Sequence, residues 1–76
     1  MRIYKIESVA THVNEVTGRK MPDQSWVGDL EVVCQDHDNV YCKNVVNNMA
    51  PVPYVTGYSK KDFRFFDGDL KEIKFE

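Results

Sequence analysis

Seventy-six residues, 42% of them hydrophobic and 29% charged, suffice for one small core spanning residues 1–76 and exclude a second domain and wholesale disorder. Ten basic against twelve acidic residues give a net charge of −2, which withholds the long-range attraction that draws basic proteins to nucleic acid or an acidic membrane. No apolar run approaches the roughly 20 residues that cross a bilayer, and the N-terminus lacks the apolar centre of a secretory signal. Two cysteines are too few for a disulfide scaffold, so a soluble cytoplasmic protein with reduced thiols and no membrane partner is expected.

From Ile3 to about Val16, Tyr4 and Ile6 share one strand face while Val9, Thr11 and Val13 share the other. A β-bulge near Glu7 and Ser8 would shift the phase and turn both sets inward, giving one long bent strand. The β-branched Val9, Thr11, Val13 and Val16 weaken the competing helix from Glu7 to Val16. Thr17 to Ser25 combines Gly18, Pro22 and polar residues and predicts a surface loop.

Trp26 to Cys34 and Val40 to Val46 alternate in hydrophobicity about Asp36-His37-Asp38-Asn39, the pattern of an antiparallel hairpin. A three-residue connection with Asn39 left-handed would set Cys34 opposite Cys42 and put Trp26, Leu30, Val32, Cys34, Val40, Cys42 and Val46 on one face. A two-residue connection would instead place the thiols on opposite faces. The first register sorts apolar from polar residues more cleanly and is the one predicted.

Pro51 and Pro53 bar the segment from Asn47 to Pro53 from being a central strand, and it is expected to cross between sheet edges. Beyond Tyr54–Tyr58, a second hairpin about Gly68 would set Arg64 opposite Glu72, Asp62 opposite Lys74 and Phe63 opposite Ile73. As a competing reading, Ser59-Lys60-Lys61-Asp62 resembles a capping box that would start one short helix near residues 60–66. Four or five strands in this length define a mainly β domain. The expected fold class is a small, strongly curved antiparallel sheet or partly open barrel of SH3-like or OB-like size.

No motif identifies an enzyme or a cofactor. Cys34, His37 and Cys42 supply three of the four donors that a closed zinc site needs, but buried thiols and a solvated turn histidine account for them more simply, so no metal is assigned. Val32, Val33 and Val40 would raise the pKa of a buried thiol and quiet it as a nucleophile. Asp36-His37-Asp38-Asn39 opens like a calcium loop, yet Tyr41 and Asn47 stand where glycine and glutamate are required. Asp67-Gly68-Asp69 reads as a turn.

A free-standing domain of this kind is expected to act by binding another protein, as an inhibitor or adaptor of a larger macromolecular partner, with Met21, Trp26, Met49, Pro51, Pro53 and Tyr54 as candidate contacts. Its size suits an accessory protein of a virus or mobile element. The alternative is a single-stranded nucleic-acid-binding barrel using Tyr58, Lys60, Lys61 and Arg64, in which aromatics stack on bases and cations meet phosphates. Asp62, Asp67, Asp69 and Glu72 interrupt that basic character. The chain is expected to be a monomer or, through an unpaired edge strand, a homodimer.

Overall fold

Strand β4 (Ser25–Gln35) is the spine of the structure, a computed structural model that describes residues 1–46, 48–49 and 51–75. Its even-numbered residues Trp26, Leu30 and Val32 turn to the sheltered side and its odd-numbered ones to solvent, as a half-buried strand requires. Around it lie β1 (Arg2–Ser8), β2 (Thr11–Val13), β3 (Lys20–Pro22), β5 (Asn39–Asn44), β6 (Val55–Ser59), β7 (Phe63–Phe66) and β8 (Glu72–Ile73). Six strands form one antiparallel sheet in the order β6-β5-β4-β1-β7-β8, and β2 pairs with β3 in a separate two-stranded ribbon. The expected mainly β, strongly curved sheet is what forms, without closing into a barrel.

The curvature follows from the aromatic contacts. Four strand spacings separate β6 from β7, about 19 Å in a flat sheet. Yet the Tyr58 ring of β6 lies 5.9 Å from Phe63 of β7 and 6.3 Å from Phe65, so the sheet must curl until its distant strands face each other. Trp26 bridges from the middle, 5.9 Å from Tyr58 and 5.8 Å from Phe63, and Phe75 closes the other flank 5.2 Å from Phe65. Trp26, Tyr58, Phe63 and Phe75 are half-buried and pack against the buried core of Ile3, Ile6, Val40, Cys42 and Phe65.

Ile3 and Ile6 are three residues apart and would face opposite sides of a regular strand. Both are buried because the β1–β4 register slips by one between Ile3↔Leu30 and Lys5↔Val27, where Gly28 and Asp29 oppose the single residue Tyr4. This slip is not the bulge predicted at Glu7-Ser8: its extra residue is on β4, and the inward set predicted for the first strand does not form, since Tyr4, Val9, Thr11 and Val13 are all exposed. A second step at Val9 separates β1 from β2: Ser8 N–H donates to Gln24 O and Asp23 N–H to Ala10 O, so the ribbon continues past the sheet into β2 and β3. Lys20–Pro22, expected within a loop, is thus a strand, and the true turn is at Asn14–Arg19, with Gly18 at φ 71°.

The β4–β5 hairpin departs from the predicted register. Val32 faces Cys42, Cys34 faces Tyr41, and Val33 is the extra residue between them. The connection is the two-residue His37-Asp38, closed by Asp36 N–H to Asn39 O at 3.0 Å. Asp36 Oδ1 fixes it by accepting from the amides of Asp38 and Asn39 at 2.9 and 2.8 Å, and Asn39 is not left-handed. A tight turn of ordinary handedness splays the strands, and the bulge at Val33 adds the twist that brings them together again. Consequently Cys42 is buried and Cys34 exposed, and Val46 also lies outside the face once predicted for it.

The last hairpin is likewise displaced by two residues, with Phe65 opposite Ile73 and Phe66 opposite Glu72. Its connection is Gly68-Asp69-Leu70, and Leu70, not the glycine, takes the left-handed conformation at φ 61°. Asp67 accepts from Leu70 N–H through its carbonyl and from Asp69 and Lys71 N–H through Oδ1, which recentres the turn one residue beyond Gly68. No helix forms near residues 60–66: Asp62 N–H returns to Ser59 O in a tight turn and Phe63 begins β7 directly. Strands β5 and β6 are neighbours, so the proline segment is a wide hairpin loop, not a crossover; its Asn47 and Ala50 lie outside the described residues.

Two measurements check this register. With a thiol-specific reagent, one thiol, that of Cys34, reacts in the folded protein and Cys42 reacts only on unfolding; burial also pushes the Cys42 thiol up in pKa, adding to its protection. Leu70→Gly raises the melting temperature, because glycine relieves a left-handed penalty of about 1 kcal/mol.

Candidate protein-interaction surface

The β2–β3 ribbon projects as an arm. Its strand residues are exposed on both faces apart from the half-buried Pro22, and its main packing is between its own two strands. Val13 is 60% exposed, Val16 at the tip 93%, and Met21 also lies open. The tip is held by Asn14, whose Oδ1 accepts from the amides of Val16 and Thr17 at 2.9 and 3.1 Å. At the base, Ser8 Oγ donates to Ala10 O and accepts from Gln24 N–H, while His12 Nδ1 sits 2.9 Å from Asp23 Oδ1. Between this base and the β6–β7 turn runs a groove of about 490 Å³ walled by Val9, Ala10, Gln24, Asp62 and Phe63.

Four of the predicted contact residues, Met49, Pro51, Pro53 and Tyr54, gather elsewhere, in the β5–β6 loop and the approach to β6. All four are exposed, Met49 at 93%, and Val52 and Val55 extend the apolar stretch. The loop is pinned from below by Asn44, 7% exposed: its side-chain amide donates to Val52 O at 3.1 Å and its Oδ1 accepts Tyr54 N–H at 2.8 Å. Met21 stands apart on the arm. Trp26 is half-buried against Tyr58 and Phe63 and serves packing.

Of the residues of the nucleic-acid alternative, Lys60 and Arg64 line one cavity of about 230 Å³ with Phe63, Phe65 and Lys74, whereas Tyr58 and Lys61 are not among its walls. Tyr58 is committed to ring contacts with Trp26, Phe63 and Phe65, and burial pushes its hydroxyl up in pKa, whereas Lys61 and Arg64 are exposed. Arg64 stands opposite Glu7, and Lys60 N–H bonds Asp38 O. The hairpin register likewise divides the Cys34-His37-Cys42 set, one thiol outward and one in the core, and no group of three or more His, Cys, Asp or Glu among the described residues could hold a metal.

On the outer face Tyr41 lies across Gly57, its ring carbons 3.0 Å from where a Cβ would sit, and its hydroxyl donates to Asp36 Oδ2 at 2.8 Å. The Tyr41 hydroxyl, then the Asn39 and Asp38 amides, hold Asp36 below the usual carboxylate range, and the same bond pushes Tyr41 up. The sequence reading missed Val13, Val16, Val52 and Val55. The signal for the arm was present: an Asn14-to-Gly18 turn between the two β-branched valines and Met21.

Comparison with protein-family models, curated proteins and solved structures returns no match to this chain. No described helix is long and apolar enough to cross a membrane.

Because its folded pKa is depressed, Asp36 contributes stability that is present above its ordinary value of 3.8 and lost as pH falls through the lower folded value. Thermal melts should show Asp36→Ala below the unaltered protein at neutral pH. The gap should close as pH drops under 3.8.

Proposed function

We propose that this protein is a small protein-binding module, an inhibitor or adaptor, whose recognition element is the β2–β3 arm. One observation carries the reading: an ordered ribbon that buries almost nothing against its own body while exposing Val13, Val16 and Met21. Ordering a residue's backbone costs about 1–2 kcal/mol, and a two-stranded ribbon is marginal by itself. Within the monomer the arm returns little of that cost, whereas inserted into an apolar cleft of a partner it gains the burial of its valines and methionine. The adjoining groove gives the same partner a second, concave contact at the arm's root. A cytoplasmic accessory role follows the same reading.

Nucleic acid is the weaker proposal, since stacking needs an open aromatic face and Tyr58 is committed to packing. Mixed single-stranded oligonucleotides should therefore show no salt-sensitive binding even at low ionic strength.

The arm can be removed cleanly, because Ala10 and Asp23 are already hydrogen-bonded across its root. Replacing residues 11–22 by Asn-Gly should leave the melting temperature within a few degrees and abolish recovery of the stoichiometric protein that the full chain captures from host lysate. Retention of that protein by the armless variant would place recognition elsewhere.

A further inference from the structure

We propose that the open edge of β6 pairs antiparallel with β6 of a second copy of this chain, joining two sheets through a two-fold axis at Gly57. The inference is independent of the arm, which lies on the β1–β4 ribbon.

The sheet has two edges, and they are built differently. Strand β8 is two residues long and set among Lys71, Glu72 and Lys74, the length and charge that natural edges use against unwanted pairing. Strand β6 is five residues long and carries no charged side chain, nor does the approach to it from Val52. Val55 is 58% exposed, Gly57 is open to solvent, and among the described residues β5 is the only strand that β6 pairs with.

The ladder fixes which groups are available. Asn44 N–H bonds Tyr54 O at 3.4 Å and Lys60 N–H bonds Asp38 O at 2.8 Å, so the hydrogen-bonded positions along β6 are even-numbered and Thr56 and Tyr58 are used by β5. The N–H and C=O of Val55 and Gly57 and the N–H of Ser59 therefore point away from the sheet.

These groups are self-complementary. A two-fold axis at Gly57 sets Val55 opposite Ser59 of the other copy and Gly57 opposite itself, pairing all five residues and making about four hydrogen bonds between chains, two between the Gly57 residues and one from each Ser59 N–H to Val55 O. The same register brings the basic Lys60-Lys61 end of one strand over the uncharged, aromatic Pro53-Tyr54 end of the other, where a cation can rest on the Tyr54 ring. No like charges meet within the paired span. Pro53, without an N–H, ends the ladder and limits it to this length.

Sedimentation equilibrium from micromolar to about millimolar protein should show a mass of twice 8.8 kDa at the upper end. Two variants test the register by charge. Val55→Lys, brought close to Lys60 and Lys61 of the other copy, should weaken dimerisation about tenfold or more, while Val55→Glu, equally unfavourable as a loss of apolar surface, should match or exceed the unaltered protein. In a mixed labelled and unlabelled sample, an intermolecular Hα–Hα contact should join Thr56 of one copy to Tyr58 of the other. A monomer throughout the range overturns the proposal, as does a dimer that both variants weaken alike or that lacks this contact.

Discussion

A single sheet has two faces, and with no helix among the described residues to lay across one of them, the apolar face must be covered by the sheet itself. Here that is accomplished by curling, and the rest of the structure depends on it. Tyr58, Trp26, Phe63, Phe65 and Phe75 form a chain of tilted and edge-on ring contacts across the hollow, joining strands far apart in the sheet. Edge-to-face packing tolerates the irregular spacing of a curved interior better than aliphatic side chains of fixed reach. Ile3, Ile6, Val40 and Cys42 line the floor beneath, and the register slip in β1 exists to put both isoleucines there.

Three of the hairpin turns share a device. Asn14, Asp36 and Asp67 each stand at the start of a connection and accept backbone amides from residues two to four further on. A side-chain oxygen in this role replaces one that the backbone would otherwise supply, so each turn is fixed locally before any long-range contact forms. Asn44 does the equivalent for the wide β5–β6 loop from a buried position. Loops with such clamps can carry exposed apolar residues without collapsing onto the body.

The same clamps explain what could be read from the sequence. Alternating hydrophobicity located β4, β5 and β7 because each has one sheltered face, and the β-rich, curved character followed from their number and length. Register was the part that failed, at both hairpins. Face-sorting of side chains does not see a bulge such as Val33, which shifts the phase in the middle of a strand, nor that the last turn centres one residue beyond Gly68 with Leu70 left-handed. The arm was hidden for a related reason: Pro22 and Gly18 suggested a loop, but a ribbon detached from the sheet has no inward partner to forbid a proline. Of the candidate contacts, the exposure of Met49, Pro51, Pro53 and Tyr54 could be anticipated from prolines that interrupt regular pairing, whereas that of Val13 and Val16 depends on a projection that no local pattern specifies.

The contact of Tyr41 with Gly57 has a consequence for how this chain can vary. A methyl group at position 57 would meet the ring at 3.0 Å, and moving the ring would strain its hydroxyl bond to Asp36, and with it the turn that Asp36 organises. The bare centre of β6 is thus inherited from the needs of the neighbouring strand. Descendants of this sequence can decorate the ends of that edge freely, but its middle stays smooth for as long as a tyrosine leans on it.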